Sequence, residues 1–162
     1  GEQYTRCWPD LFELETVVLR YFNVFGPEQD PDSFYSAVIP KFVKMALEGR
    51  APEIHGDGEQ TRDFTYIENV VDANLRAASV AGEAVSGRVF NVGCGERISV
   101  NRLWQEIASL TGAKVDARHG PPRPGDVRDS LADVRALEAA TGWRARVGLR
   151  EGLERTVASL GG

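Results

Sequence analysis

The run Thr16-Val17-Val18-Leu19-Arg20-Tyr21-Phe22 constrains the fold more than any other stretch of the chain. It is mostly β-branched and apolar, and it has the length of a strand. A continuous run, unlike an alternating one, predicts a strand buried on both faces and therefore a central place in a parallel sheet. The run leaves through Asn23-Val24-Phe25-Gly26-Pro27, a turn-rich exit.

Helices and strands are expected to mix along the whole length. Residues 1–14 read as partly helical, with Pro9 kinking or ending the helix. After the polar loop Glu28–Ser33, apolar residues recur at three- and four-residue spacing from Ile39 to Leu47, predicting a helix that stops near Gly49. Glu53–His55 reads as a short strand closed by the hairpin-type turn Gly56-Asp57-Gly58, and Thr61–Tyr66 as another short strand. A helix over Val70–Ala81 and a strand over Arg88–Val92 follow. Ser99 is a suitable N-cap for a helix over Val100–Leu110, ended by Gly112. Lys114–Arg118 is a strand candidate, Gly120–Asp126 a proline-rich loop, and Val134–Thr141 and Leu149–Leu160 short amphipathic helices. The class is α/β, with connections that are not a simple βαβ series.

At 162 residues the chain suits one compact domain or the larger part of one. Its net charge of −5 argues against a nucleic-acid partner, because phosphate attraction needs a basic face. No apolar run reaches the roughly 20 residues of a membrane span. No secretory leader opens the chain, so a cytoplasmic setting is expected. Cys7 and Cys94 form no CxxC pair and only His55 and His119 are at hand to help them, so no metal site is expected.

Three arginine segments carry candidate chemistry: Arg20–Asn23, Gln60–Phe64 and Arg123–Arg128. Guanidinium forks suit phosphate oxygens, and prolines stiffen the loop presenting Arg123. The competing reading makes Arg62–Asp63 and Arg123–Asp126 surface ion pairs of little energetic weight. Asn23 sits where a buried strand ends, the usual place for a ligand in an open α/β sheet, although asparagine also suits a plain turn. Gly93-Cys94-Gly95 has the look of a dinucleotide loop, but Ile98 stands where a third glycine belongs, and a strand-to-helix turn is the simpler reading. No tyrosine is followed by a lysine four residues on, no GxSxG is present, and two isolated histidines support no triad. The aromatics Phe22, Phe25, Phe34, Tyr35, Phe42, Phe64 and Tyr66 cluster near the arginine motifs, either as a stacking wall or as core.

Taken in order, LRYFNVFGPEQDP, YSAVIPKF, IHGDGEQTRDFTYIENVVDA, VFNVGCGE and RPGDVRDSLADV resemble the C-terminal half of NAD-dependent nucleotide-sugar epimerases and dehydratases. These belong to the extended short-chain dehydrogenase/reductase group, and the likeness is greatest to UDP-hexose 4-epimerases. The resemblance spans nearly the whole chain. It implies the end of a Rossmann-type parallel sheet (residues 1–28, a truncated NAD-binding domain) followed by a smaller α/β substrate-binding subdomain (residues 29–162). It also implies that the glycine-rich NAD turn and the YxxxK pair lie upstream of Gly1, so that no catalytic residue is expected in this chain and the chain alone is expected to be inactive.

For the substrate, the resemblance assigns Asn23, Arg62 and Arg123 to the diphosphate, Ala37, Val38 and Phe42 to the uracil, Asp126 to the ribose or a neighbouring arginine, and Gln29 and Ser130 to the hexose pocket. Tyr21 and Phe22 fall beside the nicotinamide, and His55 receives no role. The implied partner is a UDP-sugar, with NAD as cofactor and a homodimer as the intact assembly. A 4,6-dehydratase, a UDP-glucuronate decarboxylase and a non-catalytic sugar-nucleotide binding module are the alternatives.

Overall fold

The computed structural model describes residues 1–32 and 37–161. Phe34 and Tyr35, and the end of the loop expected over Glu28–Ser33, lie outside the described residues. In chain order the elements are α1 (Glu2–Phe12), β1 (Val17–Tyr21), β2 (Val24–Phe25), α2 (Val38–Leu47), β3 (Glu53–His55), β4 (Thr61–Arg62), β5 (Thr65–Tyr66) and α3 (Ile67–Ser79). They continue with α4 (Gly82–Val85), β6 (Arg88–Val92), β7 (Ile98–Ser99), α5 (Val100–Thr111), β8 (Arg118–Gly120), α6 (Arg135–Thr141) and α7 (Leu149–Leu160). The α/β class is as expected.

The strand β1 is parallel, as its composition implied. It pairs with β6 over five residues, Val17 opposite Arg88 through Tyr21 opposite Val92. It is not buried on both faces, however: Val17, Val18 and Leu19 are half-buried, and Arg20 and Tyr21 are exposed. Its only ladder among the described residues is with β6, so it is not a central strand here either.

Three smaller pairs complete the strand set: β2 with β5 and β3 with β8, both parallel, and β4 with β7, antiparallel. The turn Gly56–Gly58 therefore does not close a hairpin, because β3 takes its partner more than sixty residues downstream. Gly56 (φ 71°) and Gly58 (φ 75°) still supply the left-handed backbone that the reversal needs. The expected strand Thr61–Tyr66 is two strands, with Asp63 and Phe64 between ladders. The strand expected over Lys114–Arg118 falls instead on Arg118–Gly120, where Pro52 and Gly56 offer backbone partners.

The helices follow their apolar spacing. Ile39, Phe42, Val43 and Ala46 form the buried stripe of α2, and Pro40 is tolerated because it lies in the first turn, where no intrahelical N–H bond is lost. Val100, Leu103, Trp104 and Ile107 do the same in α5, with Ser99 Oγ accepting from the Arg102 N–H and Gly112 (φ 72°) ending the helix. The third helix starts at Ile67, three residues before the expected Val70. Pro9 lies inside α1 without ending it.

Two cores result. One joins α2, α5 and α7 around Phe25, Ile54, Phe64 and Tyr66, and the other packs α3 and α6 on the β1–β6 pair around Phe90, Leu137 and Trp143. Buried Asn69 ties α3 to the segment before α7. Its Nδ2 donates to the Val147 carbonyl (2.8 Å), and its Oδ1 accepts from the N–H groups of Arg146 (2.9 Å) and Val147 (3.0 Å).

Candidate functional site: a cleft of arginines over an apolar floor

A cleft of about 310 Å³ opens between the start of α2, the β2–β5 pair and the loop after β8. Its floor and inner wall are apolar, from Val38, Ile39, Phe42, Ile54, Phe64 and Val100. Phe42 is held edge-on against Trp104, with ring centroids 5.6 Å apart. Phe42 and Phe64 are core residues, as the simpler reading of the aromatics has it, and both also line the cleft. A second hollow of about 360 Å³ continues outward past His55, Gln60, Arg123 and Asp126, all four shared with the first.

Asn23 reaches the cleft from the exit of β1 in a left-handed conformation (φ 27°). It is fixed from both ends: its Nδ2 donates to the Asp63 carbonyl (3.0 Å), and its own carbonyl accepts from the Thr65 N–H (3.2 Å). Arg62 comes from β4. Its Nη1 donates to the Thr61 carbonyl (2.7 Å) and its Nη2 to Asp126 Oδ1 (2.5 Å).

Arg123 and Asp126 stand at the two ends of one turn. Pro124 occupies the second position, Gly125 (φ 78°) the third, and the Asp126 N–H donates to the Arg123 carbonyl (3.2 Å). Proline followed by a left-handed glycine is what a type II turn requires. The following segment is clamped to β4, where Thr61 N–H donates to the Arg128 carbonyl, Ser130 N–H to the Thr61 carbonyl, and Thr61 Oγ1 to Asp129 Oδ1 (2.7 Å). Arg128 adds a bidentate pair with Asp57, which holds the Asp57 carboxyl at about 2.

The ion pairing differs from the local pairs read in the sequence. Arg62 pairs with Asp126, 64 residues away, and Asp63 has no cation partner among the described residues. Arg123 makes no side-chain hydrogen bond or ion pair among the described residues, so its guanidinium is uncompensated at the rim. An apolar floor beneath an unpaired cation suits a ligand with a flat apolar part and an anionic part.

Of the residues assigned to a substrate, Asn23, Ala37, Val38, Phe42, Arg62, Arg123 and Asp126 share this cleft. Gln29 and Ser130 do not line it. Gln29 bridges its own loop, accepting from the Gly26 N–H and donating to the Val24 carbonyl (both 3.3 Å). Tyr21 and Phe22 lie outside it at the exit of β1, where Tyr21 OH donates to Asn74 Oδ1 (3.0 Å) and Phe22 N–H to the Val92 carbonyl (3.0 Å). Gln60, from the second arginine segment, also lines the cleft, as do Glu53, which sequence reasoning did not single out, and His55, which it gave no role. The alternation of β3, with Ile54 buried between two exposed neighbours, is the signal that puts Glu53 and His55 together on the open face.

No tyrosine, lysine or cysteine lines the cleft among its described residues; its polar lining is Asn23, Glu53, His55, Gln60, Arg62, Arg123 and Asp126. Burial pushes the Cys94 thiol up to about 11, with the Asp63 charge adding to the shift. No group of three or more metal-ligating side chains occurs among the described residues, and no described helix is long and apolar enough to cross a membrane. A dinucleotide does not fit the Gly93-Cys94-Gly95 turn, because the N–H groups of Cys94 and Gly95 already donate to the Asp63 carboxylate.

Residues 1–93 match the NAD dependent epimerase/dehydratase family. A UDP-glucose 4-epimerase of Mycolicibacterium smegmatis is 38% identical over 157 residues, covering 97% of this chain and 49% of the relative. The crystal structure of the Thermotoga maritima UDP-glucose 4-epimerase with UDP-glucose superposes with a TM-score of 0.91 at 38% identity, covering 98% of this chain and 50% of that one. The UDP-N-acetylglucosamine 4-epimerase of Methanobrevibacter ruminantium, solved with UDP-N-acetylmuramic acid, gives a TM-score of 0.87 at 39% identity, with coverage of 98% and 50%. The chain thus spans about half the length of the relatives it matches, and it belongs to the NAD dependent epimerase/dehydratase family.

Proposed function

We propose that this chain is the substrate-binding, C-terminal portion of an NAD-dependent UDP-sugar 4-epimerase. One observation carries the reading: Asn23, Arg62 and Arg123, from three separate segments, converge on one cleft whose other wall is the apolar start of α2. A nucleoside diphosphate matches that combination, with its base on the apolar wall and its phosphates at the guanidinium groups. Relatives that act on UDP-sugars support the choice of uridine.

Tight hold on the nucleotide leaves the small sugar as the part that turns. The arginines then contribute binding common to ground and transition states, and the redox step belongs to the NAD cofactor. Tyr21 and Phe22, outside the cleft, are assigned to the cofactor side, and Gln29 and Ser130 to the hexose end. Calorimetric titration of the chain with UDP, UMP and uridine tests the reading. Affinity should rise with each phosphate, and equal affinity for uridine and UDP would mean that the arginines do not hold the phosphates.

A further inference from the structure

Asp63 is completely buried and carries no counter-cation among the described residues. Its carboxylate is instead wrapped by backbone amides: Oδ1 accepts from the Cys94 N–H (2.8 Å), and Oδ2 from the N–H groups of Gly95 (2.9 Å) and Ala132 (3.1 Å). Burial pushes this carboxyl above the usual carboxylate range while the three amides pull it back. Glycine is needed on both sides of Cys94. A Cβ on Gly93 would fall 2.8 Å from Asp63 Oδ2 and 2.4 Å from the Ala132 Cβ, and Gly95 is left-handed (φ 72°). The glycine turn is thus a cradle for an anion that the protein itself supplies.

Three segments meet at this carboxylate: the link between β4 and β5, the turn after β6, and the stretch around Ala132. None of the four residues of the cradle lines the cleft, yet both polar residues reaching the cleft from this side depend on it. Arg62 is the preceding residue, and Asn23 Nδ2 is bonded to the Asp63 carbonyl.

We infer that Asp63 is a positioning residue for ligand binding, acting through Arg62 and Asn23; this rests on the reading of the cleft as a nucleotide site. The cradle fixes the backbone from which Arg62 projects and the carbonyl that orients the Asn23 amide. By linkage, whatever the cradle adds to affinity, a bound ligand returns to the cradle as stability.

The test is a double-mutant cycle with UDP as the probe. Asp63→Asn keeps the shape but places an NH₂ against a backbone N–H. It should weaken UDP binding by about tenfold in the otherwise native chain, and by less than about twofold where Arg62 and Asn23 are already alanine. A loss of thermal stability with unchanged affinity, or an equal loss in both backgrounds, would overturn the inference.

Should Asp63→Asn fail to fold, amide exchange in the unaltered chain decides: UDP should slow exchange at Cys94, Gly95 and Ala132 by about tenfold. Unchanged rates there would overturn the inference. If the native chain does not bind UDP at all, the nucleotide reading fails separately. The side-chain Nε–H signal of Arg62 then decides the positioning role, expected to lose order in Asp63→Asn and to keep it if the role is absent.

Discussion

Arg62 Nη2 and Asp126 Oδ1 lie 2.5 Å apart, and this contact closes the loop after β8 onto β4 across the mouth of the cleft. The pair is partly shielded, with side-chain exposures of 18% and 36%. An anion entering at Arg62 must share the guanidinium with this carboxylate. Asp126→Asn should therefore raise affinity for inorganic pyrophosphate, by about threefold to tenfold given the modest weight of part-exposed pairs. Calorimetry at fixed salt reads the change, and a fall in affinity would mean that the carboxylate orders Arg62 more than it competes.

Arg123 has no ion-pair partner among the described residues, so its removal should cost affinity without disturbing the fold. Arg123→Ala should weaken UDP binding by about 10- to 100-fold, the scale of one or two charge-assisted hydrogen bonds. Arg123→Lys should recover only part of the loss, because an ammonium lacks the planar fork. In an intact epimerase the same change should raise KM more than it lowers kcat, as expected for uniform binding. A kcat collapse at constant KM would contradict that role.

The Asn69 side chain satisfies three backbone groups, those of Arg146, Val147 N–H and Val147 C=O, far from the cleft. Asn69→Ala leaves the Val147 N–H and C=O buried without partners and the Arg146 N–H part-buried, at a cost of about 3 kcal/mol. For a chain of this size that should lower Tm by about 6–12 °C. Thermal denaturation followed by circular dichroism checks it, and a shift under about 2 °C would mean that water replaces the amide.

The two thiols should differ sharply in reactivity. Cys7 is exposed on α1, whereas burial beside Asp63 raises Cys94 from its ordinary 9.0 to about 11. A thiol reagent at pH 8 should label Cys7 quickly and the half-buried Cys94 much more slowly in the folded chain. The same shift has a sign for stability. Between pH 9 and 11 the unfolded state has released a proton that the native state keeps, so stability falls as pH rises through that window. Equal labelling rates for both cysteines in the folded chain would contradict the raised Cys94 thiol.

Local signals in the sequence were sufficient where they were strong. Ser99 and Gly112 marked α5, the spacing of Ile39, Phe42, Val43 and Ala46 marked the buried face of α2, and the β-branched run of β1 implied parallel pairing. The burial of β1 was not legible, because burial depends on what covers a strand and not on its own composition. Nor was the splitting of Thr61–Tyr66, which follows from a long-range event, the capture of the Asp63 carboxylate by amides some thirty and seventy residues away. Arginine chemistry and the prolines that stiffen the loop over residues 120–126 point to Arg62 and Arg123. The crossed pairing of Arg62 with Asp126, and the placing of Glu53 and His55 on the cleft wall, need the folded arrangement.

We propose that the cleft over α2 holds a uridine diphosphate through Arg62 and Arg123. Titrating UDP into the chain, with Arg62→Ala/Arg123→Ala in parallel, tests it most directly. The expected result is one saturable site in the native chain, weakened by rising salt and lost in the double variant. Saturable binding of equal strength in both proteins would place the nucleotide elsewhere, and no binding to the folded native chain would contradict the assignment of the cleft.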